Sequence, residues 1–261
     1  MTTDNRIIGE RNTLAVLSHL DRFGWLTSRM IAALVWPNAK QGPAMARRAV
    51  RALTDDKLIL RRPLPGGGDC YTLSATGARL LNEATGLRAR SGASLPLGNT
   101  VHRACANWYA IHCINGGHAV WSEHEIQSGR APVVSVSGKV ADGLLDTQDG
   151  LVWVEVENAW KNRAERRRAV DFCTRNLPRN DQQVELVLNR YLARVVIVAT
   201  NTDALRAMIR SFAEAFESGD LTESQAADVE LVLLPVDKSL AGTEPVTGNL
   251  WYDALWSAAD A

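Results

Sequence analysis

Residues 150–162 read GLVWVEVENAWKN and set two carboxylates within an otherwise apolar stretch. The alternation of valines with Trp153, Glu155 and Glu157 is typical of a β-strand, because successive side chains of a strand point to opposite faces. The two glutamates therefore share one face of the predicted strand. Neighbouring carboxylates repel each other and are costly to bury, so this face is expected either to bind a cation or to lie in solvent.

The residues before this strand supply a pairing partner and a third acid. Asp149 and Gly150 predict a two-residue turn, so residues 139–158 are expected to form a β-hairpin. With that turn, residue 142 pairs with residue 157 and residue 144 with residue 155, and directly paired residues point to the same face. We therefore expect Asp142, Glu155 and Glu157 to project from one face, while the valines of the other face enter the core.

Three converging carboxylates are suited to hold Mg²⁺ or Mn²⁺, since these cations prefer oxygen ligands. The cation would offset the repulsion between the acids, lower the pKa of a bound water and stabilise charge on a phosphate. Lys161, four residues after Glu157, is expected to assist the same site from the next helix. We predict Asp142, Glu155 and Glu157 as metal ligands and, with Lys161, as catalytic residues. Exposed acids that bind no metal are the alternative.

Other polar residues near these acids are candidates for supporting roles. The predicted helix after the strand is basic, and a phosphate backbone is expected to lie along its Arg163, Arg166, Arg167 and Arg168, beside the acids. Glu123 and Glu125 are candidates for an additional ligand. His102, on an earlier predicted helix, is interpreted as a core or surface histidine.

The composition is that of a soluble globular protein, with 261 residues, 46% hydrophobic and 22% charged. No apolar run approaches the roughly 18 residues that span a membrane, and no secretory signal begins the sequence, so a cytoplasmic location is expected. The net charge of zero hides an asymmetry. Residues 1–95 carry 14 Lys and Arg against 7 Asp and Glu, whereas the remainder carries 15 against 22. This predicts two modules, of which the basic one is a candidate for binding nucleic acid.

The basic module has the pattern of a winged helix-turn-helix. Residues 10–36 predict two helices, residues 42–59 a third, and residues 58–74 two short strands around a glycine-rich turn. In such a domain the third helix enters the major groove of DNA and the hairpin lies along the backbone. The predicted DNA-binding residues of this module are Arg47, Arg48, Arg51, Arg61 and Arg62. A solvated helix face or a protein-interaction module are the alternatives.

The junction between the modules is rich in Gly, Ser and Pro and lacks periodicity, so residues 86–100 are interpreted as a linker. We predict two domains, 1–92 and 93–261. In the second domain the predicted order is α-β-β-β-α-β-α-β, which indicates a mixed α/β (α+β) sheet.

The second domain resembles the PD-(D/E)XK nuclease superfamily, with its restriction-endonuclease-like αβββαβ core, an Asp on the second strand and (D/E)-x-K on the third. Here VADGLL supplies Asp142, and VEVENAWK supplies Glu155, Glu157 and Lys161. Glu157 stands at the usual lysine position. Some members of the superfamily carry the lysine on the following helix, where Lys161 is expected. A winged helix followed by K-x-A-D-G and V-W-V-E-V-E-N-x-x-K resembles the MobC-type plasmid mobilisation relaxases and the replication-relaxation proteins.

This resemblance implies a metal-dependent DNA endonuclease that recognises a plasmid origin of transfer in double-stranded DNA and nicks one strand. A coupling protein and accessory mobilisation proteins would be its partners. Two other functions stay open. A non-catalytic DNA-binding regulator of plasmid replication or transcription is favoured by the glutamate at position 157, and a restriction-type enzyme would cut both strands as a homodimer.

Overall fold

The computed structural model describes residues 5–158, 162–179, 185–187, 190–242 and 244–246. The chain divides into two compact units, the N-terminal unit Met1–Thr100 and the C-terminal unit Val101–Ala261. The described residues contain nine helices and a mixed six-stranded sheet, so the protein belongs to the mixed α/β class. Within these residues no helix combines the length and the apolar character needed to cross a membrane.

The N-terminal unit combines helices with a three-stranded antiparallel sheet of order β1–β3–β2. Its elements are α1 (Asn5–Phe23), β1 (Leu26–Thr27), α2 (Ser28–Val35), α3 (Gly42–Asp55), β2 (Ile59–Pro63), β3 (Asp69–Leu73) and α4 (Ala75–Thr85). Local chemistry sets several of these bounds. Gly24 takes a positive φ of 75° after α1, and Thr27 Oγ1 accepts a hydrogen bond from the Met30 amide at the start of α2.

The core of this unit is apolar and closely packed. Leu17, Leu20, Trp25 and Ile31 are almost fully buried. The backbone of α4 lies against the backbone of Leu58, the residue before β2. A Cβ added at Gly77 would stand 2.0 Å from the Leu58 carbonyl oxygen. Only glycine fits at this contact.

The segment predicted to be a linker contains no helix or strand over residues 86–99, but it bonds to the N-terminal unit. Asn82 exchanges two hydrogen bonds with the backbone of Ala89, and the Gly92 amide donates to the Leu73 carbonyl at 2.8 Å. The compact units accordingly divide after Thr100, eight residues beyond the predicted boundary at residue 92.

The C-terminal unit carries the six-stranded sheet. Its elements are α5 (Thr100–Asn115), β4 (Ala119–Ser122), α6 (Glu123–Gln127), β5 (Gly143–Thr147), β6 (Gly150–Glu157), α7 (Arg163–Asn176), β7 (Glu185–Val187), β8 (Arg190–Ala199), α8 (Thr202–Glu217), α9 (Glu223–Ala227) and β9 (Val229–Leu233). The sequence suggested one strand through residues 118–127. The chain turns into α6 because Ser122 and Glu125 form a capping box, in which each side chain bonds the other residue's amide.

The sheet has the order β4–β5–β6–β8–β7, and β9 also pairs with β8. Strands β4, β5 and β6 are antiparallel neighbours, whereas β6 and β9 run parallel to β8. Helices cover both faces. Trp153 of β6 stacks on Phe172 of α7 with ring centroids 4.8 Å apart, and Val152 lies with Tyr109 of α5 around a cavity on the opposite face. Every residue of β6 is therefore buried.

The β5–β6 hairpin differs from the prediction in register. Thr147 pairs with Gly150 and Leu144 with Trp153, so residues 148–149 form the turn and the pairing is displaced by two residues. Gly150 lies inside the ladder at φ 133°, because a Cβ there would stand 2.7 Å from the Tyr191 carbonyl oxygen of β8. Because side chains alternate between the two faces of a strand, a displacement of the pairing by two residues leaves every side chain on its original face. It brings Asp142 opposite Glu155 rather than Glu157.

All four cysteines are free thiols. Cys70 of the N-terminal unit and Cys105 and Cys173 of the C-terminal unit are buried, and Cys113 is partly buried. Burial raises the pKa of Cys70 to about 11 and raises those of Cys105 and Cys173 further. These thiols are consequently protonated and unreactive in the folded chain.

Candidate functional site

Asp142 stands at the entrance to β5, beside the end of β6. Its amide donates to the Val154 carbonyl at 2.9 Å, and its Oδ2 accepts from the Val156 amide at 2.7 Å. These two bonds continue the ladder for one more residue and hold the carboxylate against the backbone of β6. The entrance to β5 thus places Asp142 opposite Glu155 of β6. Of the three predicted metal ligands, Asp142 alone belongs to the group of metal donors that the described residues form, and Glu155 and Glu157 do not.

Two further donors lie beside Asp142. His102 Nε2, on the first turns of α5, is 3.3 Å from Asp142 Oδ2. Glu123, the first residue of α6, completes a group in which one ligand atom from each residue lies within 4.8 Å of the others. All three side chains are half-buried. One imidazole nitrogen and two carboxylates form a donor set that fits a divalent transition metal such as Mn²⁺.

Glu123 is held in an unfavourable environment for a charged carboxylate. Burial raises its pKa, and the Asp142 carboxylate raises it further, while Arg103 opposes both effects. The guanidinium Nη1 of Arg103 lies 3.0 Å from Glu123 Oε1. A cation between Glu123 and Asp142 would remove the repulsion that this arrangement contains.

Glu155 is buried more deeply, with 3% of its surface exposed. Lys139 Nζ lies 2.9 Å from its Oε2, and the indole of Trp153 donates to its Oε1 at 2.5 Å. Burial raises the pKa of Glu155 to about 7; Asp142 acts in the same direction, and Lys139 and Trp153 oppose it. Glu155 can therefore take up or release a proton near neutral pH.

The remaining predicted residues of this site have different outcomes. Glu157 is 1% exposed on the same face of β6 as Glu155, and its carbonyl accepts from the Thr200 amide. Because both glutamates are buried, the alternative that they are exposed acids is excluded. Lys161 lies outside the described residues.

The structure adds two residues that the sequence had not assigned to the centre, His102 and Lys139. Glu123 had been noted as an additional candidate, but His102 had been interpreted as a packing or surface residue. For Lys139 a signal existed, because it stands three residues before Asp142 in the segment SGKVADG. Its contact with Glu155 depends on the hairpin register, which the sequence did not give.

Two of the predicted DNA-binding arginines of α7, Arg163 and Arg167, are engaged in ion pairs. Arg163 Nη2 lies 2.9 Å from Glu214 of α8, and Arg167 contacts Asp171 at 3.0 Å and Asp220 at 2.5 Å. The carboxylates of Asp220 and Asp171 raise the pKa of the Arg167 guanidinium. Arg166 is half-buried. The charge of these residues is thus largely balanced inside the C-terminal unit.

The arginines of the N-terminal unit fall into two groups. Arg47, Arg48 and Arg51 are exposed on α3. Arg61 is exposed on β2 and pairs with Asp69 at 2.7 Å, whereas Arg62 is half-buried and donates to the Leu95 carbonyl at 2.5 Å. Arg62 therefore anchors the segment after α4.

Side chains of α3 and of the β2–β3 hairpin also share a concave surface. A cavity of about 330 Å³ is lined by both elements, and Arg47, Arg51 and Arg61 are among its walls. Asp55 and Asp69 line the same cavity, and Asp69 pairs with Arg61, so the excess positive charge of this surface is carried by Arg47 and Arg51.

Comparison of the chain with protein families, curated protein sequences and solved structures finds no match.

Proposed function

We propose that this protein is a metal-dependent DNA endonuclease of the mobilisation-relaxase type, and that its N-terminal unit is a winged helix-turn-helix domain. The observation that carries the proposal is the position of Asp142 opposite Glu155 at the entrance to β5, with His102 and Glu123 beside the first and Lys139 beside the second. Buried acids with a shifted pKa, a set of metal donors and an amine within one edge of a sheet are typical of a hydrolytic centre.

The order of elements supports both parts of the proposal. In the N-terminal unit, helix, short strand, two helices and a β-hairpin follow each other as in a winged helix, and α3 presents three exposed arginines. In the C-terminal unit, α5, β4, β5, β6, α7 and β8 follow the αβββαβ order of restriction-endonuclease-like nucleases, with the short α6 inserted after β4 and the short β7 before β8. The acids lie at the strands where that superfamily carries its own.

The donor set supports a divalent cation, Mg²⁺ or Mn²⁺. His102, Glu123 and Asp142 would hold it, and Glu155 adjoins them. A bound cation would lower the pKa of a water and stabilise negative charge on a phosphate. Asp142 is kept in place by the Val156 amide, and Glu155, with its raised pKa, is suited to accept a proton near neutral pH.

Lys139 would act beside Lys161, the lysine predicted from the sequence, since the Lys139 ammonium contacts Glu155 directly. It would neutralise charge on the phosphate. Double-stranded DNA containing an origin of transfer is the proposed substrate, and a coupling protein and accessory mobilisation proteins are the proposed partners.

The test is a cleavage assay on supercoiled plasmid carrying a cognate mobilisation region. Wild-type protein with Mg²⁺ or Mn²⁺ is expected to yield open circles, and Asp142→Ala and Glu155→Ala are expected to bind DNA without cutting it. Asp149→Ala is the matched control, because it removes an exposed acid from the turn of the same hairpin. Cleavage at the wild-type rate by Asp142→Ala would exclude this site, and linear product would indicate a restriction-type enzyme.

One observation favours a non-catalytic DNA-binding regulator instead. The carboxylate of Glu155 is already bonded by Lys139 and Trp153, so those three residues form a closed group without a metal. A ligand that binds the folded state raises its melting temperature. Stabilisation by Mn²⁺ that disappears in His102→Gln would favour the nuclease, and its absence together with intact DNA binding would favour the regulator.

A further inference from the structure

The C-terminal unit contains a basic cavity beside Glu155 that shares Lys139 with the proposed catalytic centre and adds two arginines that the centre does not use. It has a volume of about 450 Å³ and lies between α7 and the turn at residues 136–139. Lys139, Arg168 and Arg175 line it, against one carboxylate, Asp171. The excess of positive charge suits an anionic ligand.

The two arginines of this cavity differ from the others on α7. Arg168, Phe172 and Arg175 recur at helical spacing, so they form one stripe of the helix surface. Arg163 and Arg167 lie on a neighbouring stripe and pair with acids at 2.9 and 3.0 Å. Over the described part of the chain, Arg168 and Arg175 make no ion pair. Their guanidiniums remain available to a ligand.

The opposite wall of the cavity is a tight turn that fixes Lys139. The backbones of Val136 and Lys139 exchange two hydrogen bonds of 2.9 Å, and Ser137 and Gly138 both take a positive φ, of 50° and 77°. This geometry is typical of a two-residue turn that joins antiparallel segments. Ser137 Oγ also donates to Asn176 Oδ1 at 3.0 Å and ties the turn to α7.

Lys139 connects the cavity to the acids. Its ammonium lies 2.9 Å from Glu155 and 5.3 Å from the centre of the Phe172 ring. A ligand bound between Arg168, Arg175 and Lys139 therefore ends directly beside Glu155.

Resting on the function proposed above, we infer that this cavity binds a backbone phosphate of the nucleic-acid strand and holds the strand beside Glu155. Guanidiniums match the geometry of phosphate oxygens and bind them through paired hydrogen bonds. The contacts are to the backbone, so they would position the strand without reading its sequence. This assignment keeps Arg168 as a strand-binding residue of α7, adds Arg175, and leaves Arg163 and Arg167 to their ion pairs.

The test measures binding without cleavage. Full-length protein in EDTA is titrated against fluorescein-labelled hexathymidylate, and affinity is followed by fluorescence anisotropy over a range of salt concentrations. Arg168→Gln/Arg175→Gln is compared with Arg163→Gln/Arg210→Gln, which removes the same charge from exposed positions of α7 and α8 that do not line the cavity. We expect the first variant to lose about tenfold in affinity and to reduce the slope of log K against log salt by about 0.7, the value for one phosphate contact to a single strand. The second variant should match wild type.

Equal losses in both variants, or no loss in either, would overturn the inference. Competition identifies the source of the phosphate. Unlabelled hexathymidylate should displace the probe, and displacement by equimolar inorganic phosphate would refute a polynucleotide site. The phosphate site and the nuclease proposal can fail independently. If the protein does not cut plasmid but the two variants still differ in affinity, the nuclease proposal fails and the phosphate site stands.

Discussion

The buried carboxyl of Glu155 predicts an inverse dependence of stability on pH in the C-terminal unit. Its pKa is raised from an ordinary 4.5 to about 7 in the folded chain, chiefly by burial. Between these values the folded state binds a proton that the unfolded state has released. The contribution of Glu155 to stability is therefore present below pH 4.5 and is lost as the pH rises to about 7. The difference in pKa corresponds to roughly 3 kcal/mol in the free energy of unfolding.

Glu155→Gln isolates this effect. Glutamine keeps the shape of the side chain and an oxygen that can accept the hydrogen bond from Trp153, but it does not titrate. Denaturant unfolding in metal-free buffer at about pH 5 and about pH 8 should show wild type losing roughly 3 kcal/mol more than the variant between the two conditions. Asp149→Asn, at an exposed position of the same hairpin, should follow wild type. If the free energy of unfolding of wild type and of Glu155→Gln changes equally with pH, the carboxyl of Glu155 does not cause the dependence.

Three other predictions concern the N-terminal unit. Burial, aided by Arg22, lowers the pKa of His19 from 6.5 to about 4. The free energy of unfolding should therefore fall by up to roughly 3 kcal/mol as the pH drops through this interval. In denaturant unfolding, His19→Gln should abolish this dependence on pH. Gly77→Ala should lower the free energy of unfolding by about 3 kcal/mol or more, because its Cβ would meet a carbonyl oxygen. Gly9→Ala should raise it by about 0.5–1 kcal/mol, because Gly9 of α1 has open space around it. Thermal denaturation of the two variants checks both values. Arg47→Ala should leave the melting temperature unchanged and lower the salt slope of duplex-DNA binding by about 1, measured by anisotropy; an unchanged slope would remove Arg47 from the interface.

The hairpin of β5 and β6 shows which structural features the alternation of residues predicts and which it does not. Alternation assigned Glu155 and Glu157 to one face correctly, because the assignment survives any displacement by an even number of residues. The position of the turn was wrong. Asp149 and Gly150 form a common turn pair, but Gly150 is required inside the ladder, where β8 approaches too closely for a side chain. That requirement comes from a strand 40 residues later and leaves no local signal.

The candidate site was predictable in part for a similar reason. Asp142 and Glu155 belong to neighbouring strands, so their meeting follows from local pairing. His102 reaches Asp142 only because α5 crosses the sheet, and Lys139 reaches Glu155 through the turn that precedes β5. Contacts of this kind depend on the packing of elements, which periodicity does not specify.

The arginines of α7 were predicted as a group because they are close in sequence. The structure separates them into a stripe balanced by acids of α8 and the loop after it, and a stripe that faces the turn at residues 136–139. The composition of a helix gives its total charge. Which part of that charge is available to a ligand depends on the neighbouring elements.

The buried thiols have a practical consequence for following the two units. Because a thiol must become exposed and ionised before it reacts, alkylation of Cys70 reports opening of the N-terminal unit, and alkylation of Cys105 and Cys173 reports opening of the C-terminal unit. A timed alkylation read by peptide mass spectrometry would thus give two opening rates from one sample of the native sequence. The chain carries its own reporters, one set in each unit, and needs neither added labels nor separated fragments.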